Sequence, residues 1–308
     1  MGKSFCEDIV PYYPSVSEAE DLRPSYITNC VFAIFLNHTT IMLNIVTVHA
    51  VKKTPSLRKP LKTLLLSLIA SDLGVSLFVQ PLYIWLLIRW LQQTHPGCHI
   101  YTFFSVIMNL FFTASFSSVV GITLERFLAI YLHLRYQELV TYKRVKAVVI
   151  FIWLISAFFS LRMFWLPPGT KYIVLAVAGV VSVLFTSLLY CKIYLVFRRH
   201  KNHIQALHVP PQQLAQNGET AAYFASLQRS AIGTFYVYLV FLVCYIPRFI
   251  CLGAIKIYGP EINLKIFSIY SLTLMFLNSS LNPLIYCWKL KRIRHALLIS
   301  MRKISWCR

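Results

Sequence analysis

Seven long apolar stretches run through the 308-residue chain, separated by shorter polar segments. Most of them approach the ~20 residues that a helix needs to cross a bilayer. The fourth stretch is the shortest, and it becomes long enough only when it is extended back through Val145 and forward to Trp165. The sequence therefore predicts seven spanning helices, over residues 26–51, 63–88, 101–124, 147–161, 172–191, 230–247 and 266–288.

Composition places the chain among integral membrane proteins. It is 57% hydrophobic and 13% charged, whereas a soluble domain carries ~25% charged residues. A net charge of +20 would suggest nucleic acid in a soluble protein. Here most Lys and Arg fall on one side of the membrane if residues 1–24 form an extracellular tail and residues 289–308 a cytoplasmic one. The excess charge then indicates membrane lipid and a cytosolic partner rather than nucleic acid.

The chain reads as one domain over residues 1–308. Its one long connection, residues 201–223, contains Pro210-Pro211 and Asn217-Gly218, and is predicted to be a mobile cytoplasmic loop. The sequence contains no nucleophile motif, phosphate-binding Gly loop or metal cluster, so it does not indicate an enzyme. A transporter or channel would show related halves with broken helices or a charged pore, and the sequence shows neither.

A few polar residues interrupt the apolar stretches, although an ionisable group in hydrocarbon costs at least ~3 kcal/mol. The second stretch contains a Leu-Ser-Leu-Ile-Ala-Ser run followed by Asp72, and the third stretch ends in Glu125-Arg126. The fourth holds a central Trp153, the sixth a Phe241-to-Pro247 run, and the seventh the run Asn282-Pro283-Leu-Ile-Tyr286. These five motifs, in this order, resemble the rhodopsin-like (class A) G-protein-coupled receptors over nearly the whole chain.

The resemblance implies an all-α fold, a seven-transmembrane helix bundle with a short amphipathic eighth helix at the cytoplasmic tail. It implies a multi-pass receptor of the plasma membrane that converts extracellular ligand binding into activation of a heterotrimeric G protein. The alternative is a ligand-independent receptor that is constitutively active or forms heterodimers.

The resemblance also implies a sodium ion near Asp72, and no other cofactor is expected. The matching third-span residue is Ser115, and the seventh span offers Asn278, Ser279 and Asn282. Together they could present a ring of oxygens to the ion. A hydrogen-bonded polar core filled with water satisfies the same groups.

At the cytoplasmic side, the resemblance implies that Glu125 holds Arg126 in the resting state. On activation Arg126 would turn toward Tyr190 and Tyr286, opening a cleft for the G protein. An acid in the sixth span often pairs with this Arg, but Leu227 occupies that position. The sequence therefore predicts a weaker restraint and appreciable basal activity.

The sixth and seventh spans contain prolines at which they can bend. Pro247 and Pro283 each remove a helical hydrogen bond. Phe241 and Tyr245 lie one turn apart below Pro247, where the resemblance implies a side-chain trigger that usually includes Trp in place of Tyr245. Ordinary core packing would also explain aromatic residues at this spacing.

The outer half departs from the family pattern at its disulfide. Cys98 lies near the top of the third span, but the loop over residues 162–171, which usually supplies its partner, contains no cysteine. Cys6, Cys30 and Cys251 are alternative partners on the outer side, and a free Cys98 is equally compatible with the sequence.

The chain is similar to the melanocortin receptors in two features. Its loop over residues 162–171 is very short, and its fifth span has no central proline. The acids by which those receptors hold calcium and a basic peptide are replaced here by Leu82, Tyr101 and Ser105. Aminergic receptors have an Asp that pairs with the amine, and the matching position here is Met108. Opsins have a Schiff-base Lys, and the matching position here is Phe276. None of these three ligand classes fits.

Cations dominate the remaining outer residues, where Glu261 is the only acid outside the tail. Arg248 directly follows the Pro247 bend and can bind a carboxylate or phosphate through its fork. Met108 and Arg248 are therefore the candidate ligand-binding residues, and an anionic or lipid-like small molecule is favoured. Alternatively, Arg248 only extends to the outer headgroups. The cations are Arg89, Arg162, Lys171, Arg248, Lys256 and Lys265.

Overall fold

The structure is a computed structural model, which describes residues 18–54, 57–94, 96–132, 135–167, 170–206 and 218–289. Within these residues, seven helices are long and apolar enough to cross a membrane, and no strand is present. A short helix, Tyr136–Leu139, lies between the third and fourth. The all-α bundle is thus confirmed. In chain order, the spans are Ala19–Lys53, Lys59–Leu91, Cys98–Tyr131, Tyr142–Trp165, Thr170–Ala206, Gly218–Tyr258 and Ile262–Lys289.

The helices extend beyond the apolar stretches that predicted them. The fourth span reaches Trp165, which confirms its extension. The first span begins at Ala19, so the end of the predicted 1–24 tail is helical. Residues 201–206 and 218–223 of the predicted loop are helical too, and residues 207–217 lie outside the described residues. The predicted eighth helix also falls outside them, since the description ends at residue 289.

The bundle is apolar on its outer surface, as expected for helices surrounded by lipid. Val31, Leu188 and Val243, for example, are each more than 60% exposed. Hydroxyl side chains within the spans donate back to carbonyls one turn earlier, as Thr47 does to Leu43 at 2.7 Å. Such hydroxyl groups therefore find a partner on their own helix within the membrane.

The second span changes its winding near the middle. A π-helical segment, Val75–Val79, precedes Pro81, whose ring nitrogen cannot donate a helical hydrogen bond. Just before it, the ring of Phe111 occupies the space that a Cβ on Gly74 would need. The glycine, two residues after Asp72, therefore lets the third span approach the second closely.

The seventh span joins the first and second through polar contacts. Pro283 cannot donate to the carbonyl of Ser279, four residues earlier. The side-chain amide of Asn44 donates to that carbonyl instead, at 3.1 Å. Farther out, the Tyr83 hydroxyl donates to the Ile269 carbonyl at 3.3 Å. These bonds hold the polar part of the seventh span at the centre of the bundle.

Candidate functional site

Asp72 is completely buried between the second, third and seventh spans. Its carboxylate accepts from the Asn282 side-chain amide at 2.9 Å and from the Ser115 hydroxyl at 3.4 Å, and Ser279 lies beside it. Asn278, one turn from Asn282, is also buried, and its amide group has no hydrogen-bond partner among the described residues. Three of the predicted residues, Ser115, Ser279 and Asn282, therefore lie against Asp72.

This cluster is chemically suited to a sodium ion. Its carboxylate, hydroxyl and amide oxygens are hard ligands, and the Oδ1 atoms of Asn278 and Asn282 are buried without a partner among the described residues. Buried orphan oxygens of this kind require either an ion or water. These residues therefore suit a sodium ion, and the ion itself stays a prediction.

At the cytoplasmic end of the third span, Arg126 contacts Glu125 and Ser230, and Tyr136 binds the Glu125 carboxylate. Arg126 forms a forked ion pair with Glu125, with Nε 2.5 Å from Oε2 and Nη2 2.6 Å from Oε1. The Tyr136 hydroxyl donates to the same carboxylate at 2.5 Å. Arg126 Nη1 donates to the Ser230 hydroxyl of the sixth span at 3.2 Å. Leu227, at the position where the resembled family often has an acid, lies buried on the same helix. The partner that the sixth span offers to Arg126 in this bond is therefore a neutral hydroxyl.

Tyr136 and Ser230 were not singled out from the sequence. Tyr136 belongs to the short helix after the third span, where its ring is buried beneath the Arg58 guanidinium at 5.0 Å. Burial, and secondarily the negative charge of Glu125, raises the pKa of Tyr136 well above its usual value. The hydroxyl therefore remains protonated and able to donate.

Tyr190 and Tyr286 are both buried near this end of the bundle. The Tyr190 hydroxyl accepts from Thr123 at 3.0 Å, and its ring stacks on Tyr238 with centroids 5.3 Å apart. Tyr286 lies close to Val119 and Ile122 of the third span and to Thr234 of the sixth. The two tyrosines thus lie in the region through which the resemblance has Arg126 turn.

Aromatic rings form a continuous stack between the third and sixth spans. Phe241 lies 3.7 Å from Tyr245 and 4.6 Å from Phe116, measured between ring centroids. Phe112 meets Tyr245 edge to face at 5.6 Å. All four rings also line a cavity of about 230 Å³ in the outer half of the bundle.

This cavity, called the outer pocket below, is lined by residues of the third to seventh spans, including both predicted ligand-binding residues, Met108 and Arg248. Its lining contains no Asp or Glu within the described part of the chain. Arg248 Nη1 donates to the Ser268 hydroxyl at 2.5 Å and to the Ser268 carbonyl at 3.3 Å. Arg248 therefore faces the pocket and is oriented by the seventh span.

Arg162 is a second guanidinium in the lining, which the sequence indicated only as one of the outer cations. It is 1% exposed and donates to the Lys171 carbonyl at 3.1 Å and to the Asn109 amide oxygen at 3.3 Å. Lys265, by contrast, is paired with Glu18 at 2.6 Å. That cation is therefore neutralised and lies outside the lining.

Cys98 is disulfide-bonded. Cys30 and Cys251 are free, so these two alternatives, and a free Cys98, are wrong. Cys6, the third predicted partner, lies outside the described residues. The top of the third span is thus tied by a bond other than the pairing usual in the resembled family.

Known proteins provide an independent comparison. Residues 43–168 match the family model of the seven-transmembrane receptors of the rhodopsin family. The chain is 22% identical to the sheep adenosine receptor A3, over 91% of this chain and 92% of the relative. It is 28% identical to the dog histamine H2 receptor (86% and 77%) and 26% identical to the human melanocortin receptor 5 (89% and 84%).

These similarities agree with the helices and with the order of the motifs. The relatives are receptors and not enzymes, in line with the absence of a catalytic motif in the sequence. The chain is therefore a multi-pass membrane protein that is similar to the receptors of the rhodopsin family.

Proposed function

We propose that this receptor responds to an anionic, lipid-like small molecule bound in the outer pocket. The observation that carries the proposal is Arg248, a cation that lines a largely aromatic and aliphatic cavity whose described lining contains no acid. Arg248 is half-buried, and a partly desolvated cation in an apolar cavity favours an anionic or strongly accepting partner. An apolar wall with one or two fixed polar groups is also the usual form of a small-molecule site.

The geometry of Arg248 suits a carboxylate or phosphate. Both of its bonds to Ser268 use Nη1, which leaves Nε and Nη2 for a forked contact with an anion. The Arg162 guanidinium adds positive potential to the same cavity. An amine would meet two guanidiniums, and is disfavoured.

The aromatic stack gives a physical route from this pocket to the cytoplasmic side. A ligand that packs on Phe116 and Tyr245 would press on the sixth span just below its Pro247 bend. Movement of that helix would separate Ser230 from Arg126 and break the hydrogen bond between them. Without the Ser230 bond, the turn of Arg126 away from Glu125 would become easier, and this turn is a two-state change that a ligand can bias.

Ligand-independent signalling is the second candidate function. The observation that favours it is the neutral hydroxyl of Ser230 as the sixth-span partner of Arg126, with buried Leu227 in place of an acid. A receptor restrained in this way has an appreciable active population before any ligand binds.

A potency series across Arg248 tests the proposal. Oleate, lysophosphatidate and oleylamine are compared on cells by second-messenger output. We expect the two anions to be active and the amine inactive. Loss of a charge-assisted contact costs about 1.5–3 kcal/mol, so Arg248→Ala should lose about tenfold to a hundredfold in potency. Arg248→Lys keeps the charge but loses the fork and should recover part of the loss.

Lys256→Ala is the matched control, because Lys256 is an exposed outer cation of the same helix and does not belong to the lining. Equal potency of the anions on the wild type, Arg248→Lys and Arg248→Ala contradicts the proposal. Output that is high without ligand and unchanged by all three compounds favours the ligand-independent function.

A further inference from the structure

The wall of the outer pocket between the fifth and sixth spans is only one side chain thick. Ile246 and Phe249 both line the pocket, and they are 46% and 38% exposed; Ile246 is three residues from Val243 and therefore on the same helical face. The outside of the bundle at this level is the surface that meets lipid, as the 66% exposed Val243 on the same helix indicates. The same side chains therefore separate the pocket from the bilayer.

Two contacts between the fifth and sixth spans frame this wall. Toward the cytoplasm, the Tyr238 hydroxyl donates to the Val183 carbonyl at 3.1 Å and lies 2.8 Å from the Ser187 hydroxyl. Toward the outside, the ring of Phe249 faces Gly179, where a Cβ would lie 3.4 Å from the ring. The lower contact is hydrogen-bonded and the upper one is a single aromatic ring against a glycine.

The pocket corner at the outer ends of the third and fourth spans is filled differently. There the buried Arg162 binds the Lys171 carbonyl and Asn109, and these bonds join the third, fourth and fifth spans. A route through this corner requires the loss of charge-assisted bonds. A route past Phe249 requires only a change in the rotamer of one exposed side chain.

We propose that the ligand enters the outer pocket sideways from the bilayer, between the fifth and sixth spans, and that Phe249 is the gate. The occupant is a single-chain anionic amphiphile, whose apolar tail passes the Gly179–Phe249 contact while its head group reaches Arg248. The anionic identity rests on the proposed function. The opening itself does not, and a neutral probe can test it.

The test uses purified receptor in lipid nanodiscs that contain hexadecanol bearing a photoreactive diazirine. After illumination, carbene insertion is read by peptide mass spectrometry in residues 112–116 of the third span, which include the pocket-lining rings of Phe112 and Phe116. Labelling at exposed Val31 serves as the internal reference for the probe in the bilayer.

We expect the wild type to be labelled in residues 112–116. Gly179→Leu fills the space facing Phe249 and should slow this labelling about tenfold, because overpacking raises the barrier to opening. Phe249→Ala should accelerate the labelling of residues 112–116, because it removes the side chain of the gate. Val180→Leu adds bulk at the neighbouring position, which is exposed and outside the lining, and should leave it unchanged.

Absent labelling of residues 112–116 in the wild type, or equal labelling in the wild type, Gly179→Leu and Phe249→Ala, overturns the lateral entrance. This outcome is independent of the Arg248 series. If labelling depends on Gly179 and Phe249 but potency does not depend on Arg248, the lateral entrance stands and the anionic ligand is rejected. If potency depends on Arg248 but residues 112–116 are not labelled, the anionic ligand stands and the lateral entrance is rejected.

Discussion

Single polar residues at the centre of the bundle are held by partners from other spans. Asn44 satisfies the carbonyl that Pro283 leaves without a donor, and Asn282 donates to Asp72. The amide group of Asn278 has no such partner among the described residues. Since an unpaired buried amide costs about 1–3 kcal/mol, this position is the most direct structural reason to expect an ion or water beside Asp72.

Asp72→Asn should remove the effect of sodium on ligand binding, because the carboxylate that would neutralise the ion is lost. The measurement is oleate affinity in a titration with sodium chloride, with potassium chloride at equal ionic strength as the control. We expect sodium to weaken oleate binding to the wild type and to leave that of Asp72→Asn unchanged. A wild type that responds identically to both salts supports a water-filled polar core instead.

The sixth span connects the two functional ends of the molecule. Its outer half carries Arg248 into the pocket, its middle carries Phe241 and Tyr245, and its inner half carries Ser230 to Arg126. Leu227 lies three residues before Ser230 and therefore on the same helical face. The hydroxyl of Ser230 thus restrains this helix at Arg126 beside an apolar residue.

Leu227→Glu should lower basal second-messenger output by offering Arg126 a charged partner. The cytoplasmic mouth is partly hydrated, so the gain is about 1 kcal/mol, roughly a fivefold shift in population. Unchanged ligand-free output at matched surface expression contradicts this expectation.

Ser230→Ala should have the opposite effect, since it removes a hydrogen bond that Arg126 makes to the sixth span. Basal output should rise about fivefold, as a hydrogen bond of about 1 kcal/mol is lost. Gln228→Ala is the matched control, because Gln228 is exposed on the same turn. Equal output from Ser230→Ala and Gln228→Ala would show that the hydroxyl does not restrain the helix.

The sequence predicted the spans and the Asp72 cluster, because apolar length and buried polar residues are local signals. It could not predict Ser230 or Tyr136 as partners of the Arg126 pair, since a serine and a tyrosine in amphipathic segments acquire a role only when helices pack. Arg162 was visible as a cation, but its place in the pocket depends on bonds to two other spans. The 201–223 loop was predicted too long because polar residues continue the fifth and sixth helices beyond the membrane.

At the scale of the whole molecule, the placement of charge predicts the orientation. Most Lys and Arg fall on the side of the membrane where Arg126 lies, so we expect an extracellular amino terminus and a cytoplasmic carboxy terminus. Epitope tags at the two ends, stained in intact and permeabilised cells, measure this directly. An amino-terminal tag that is visible only after permeabilisation would reverse the assignment.

The central claim is that a signal formed in the outer pocket leaves the molecule through Arg126. The most direct test is nucleotide exchange by a purified heterotrimeric G protein on receptor in nanodiscs, with and without oleate. Arg126→Ala should abolish or strongly reduce exchange while surface expression and oleate binding remain near wild type, and Arg126→Lys should recover part of it because it retains the charge. Exchange at wild-type strength by Arg126→Ala, at equal receptor concentration, would contradict the claim.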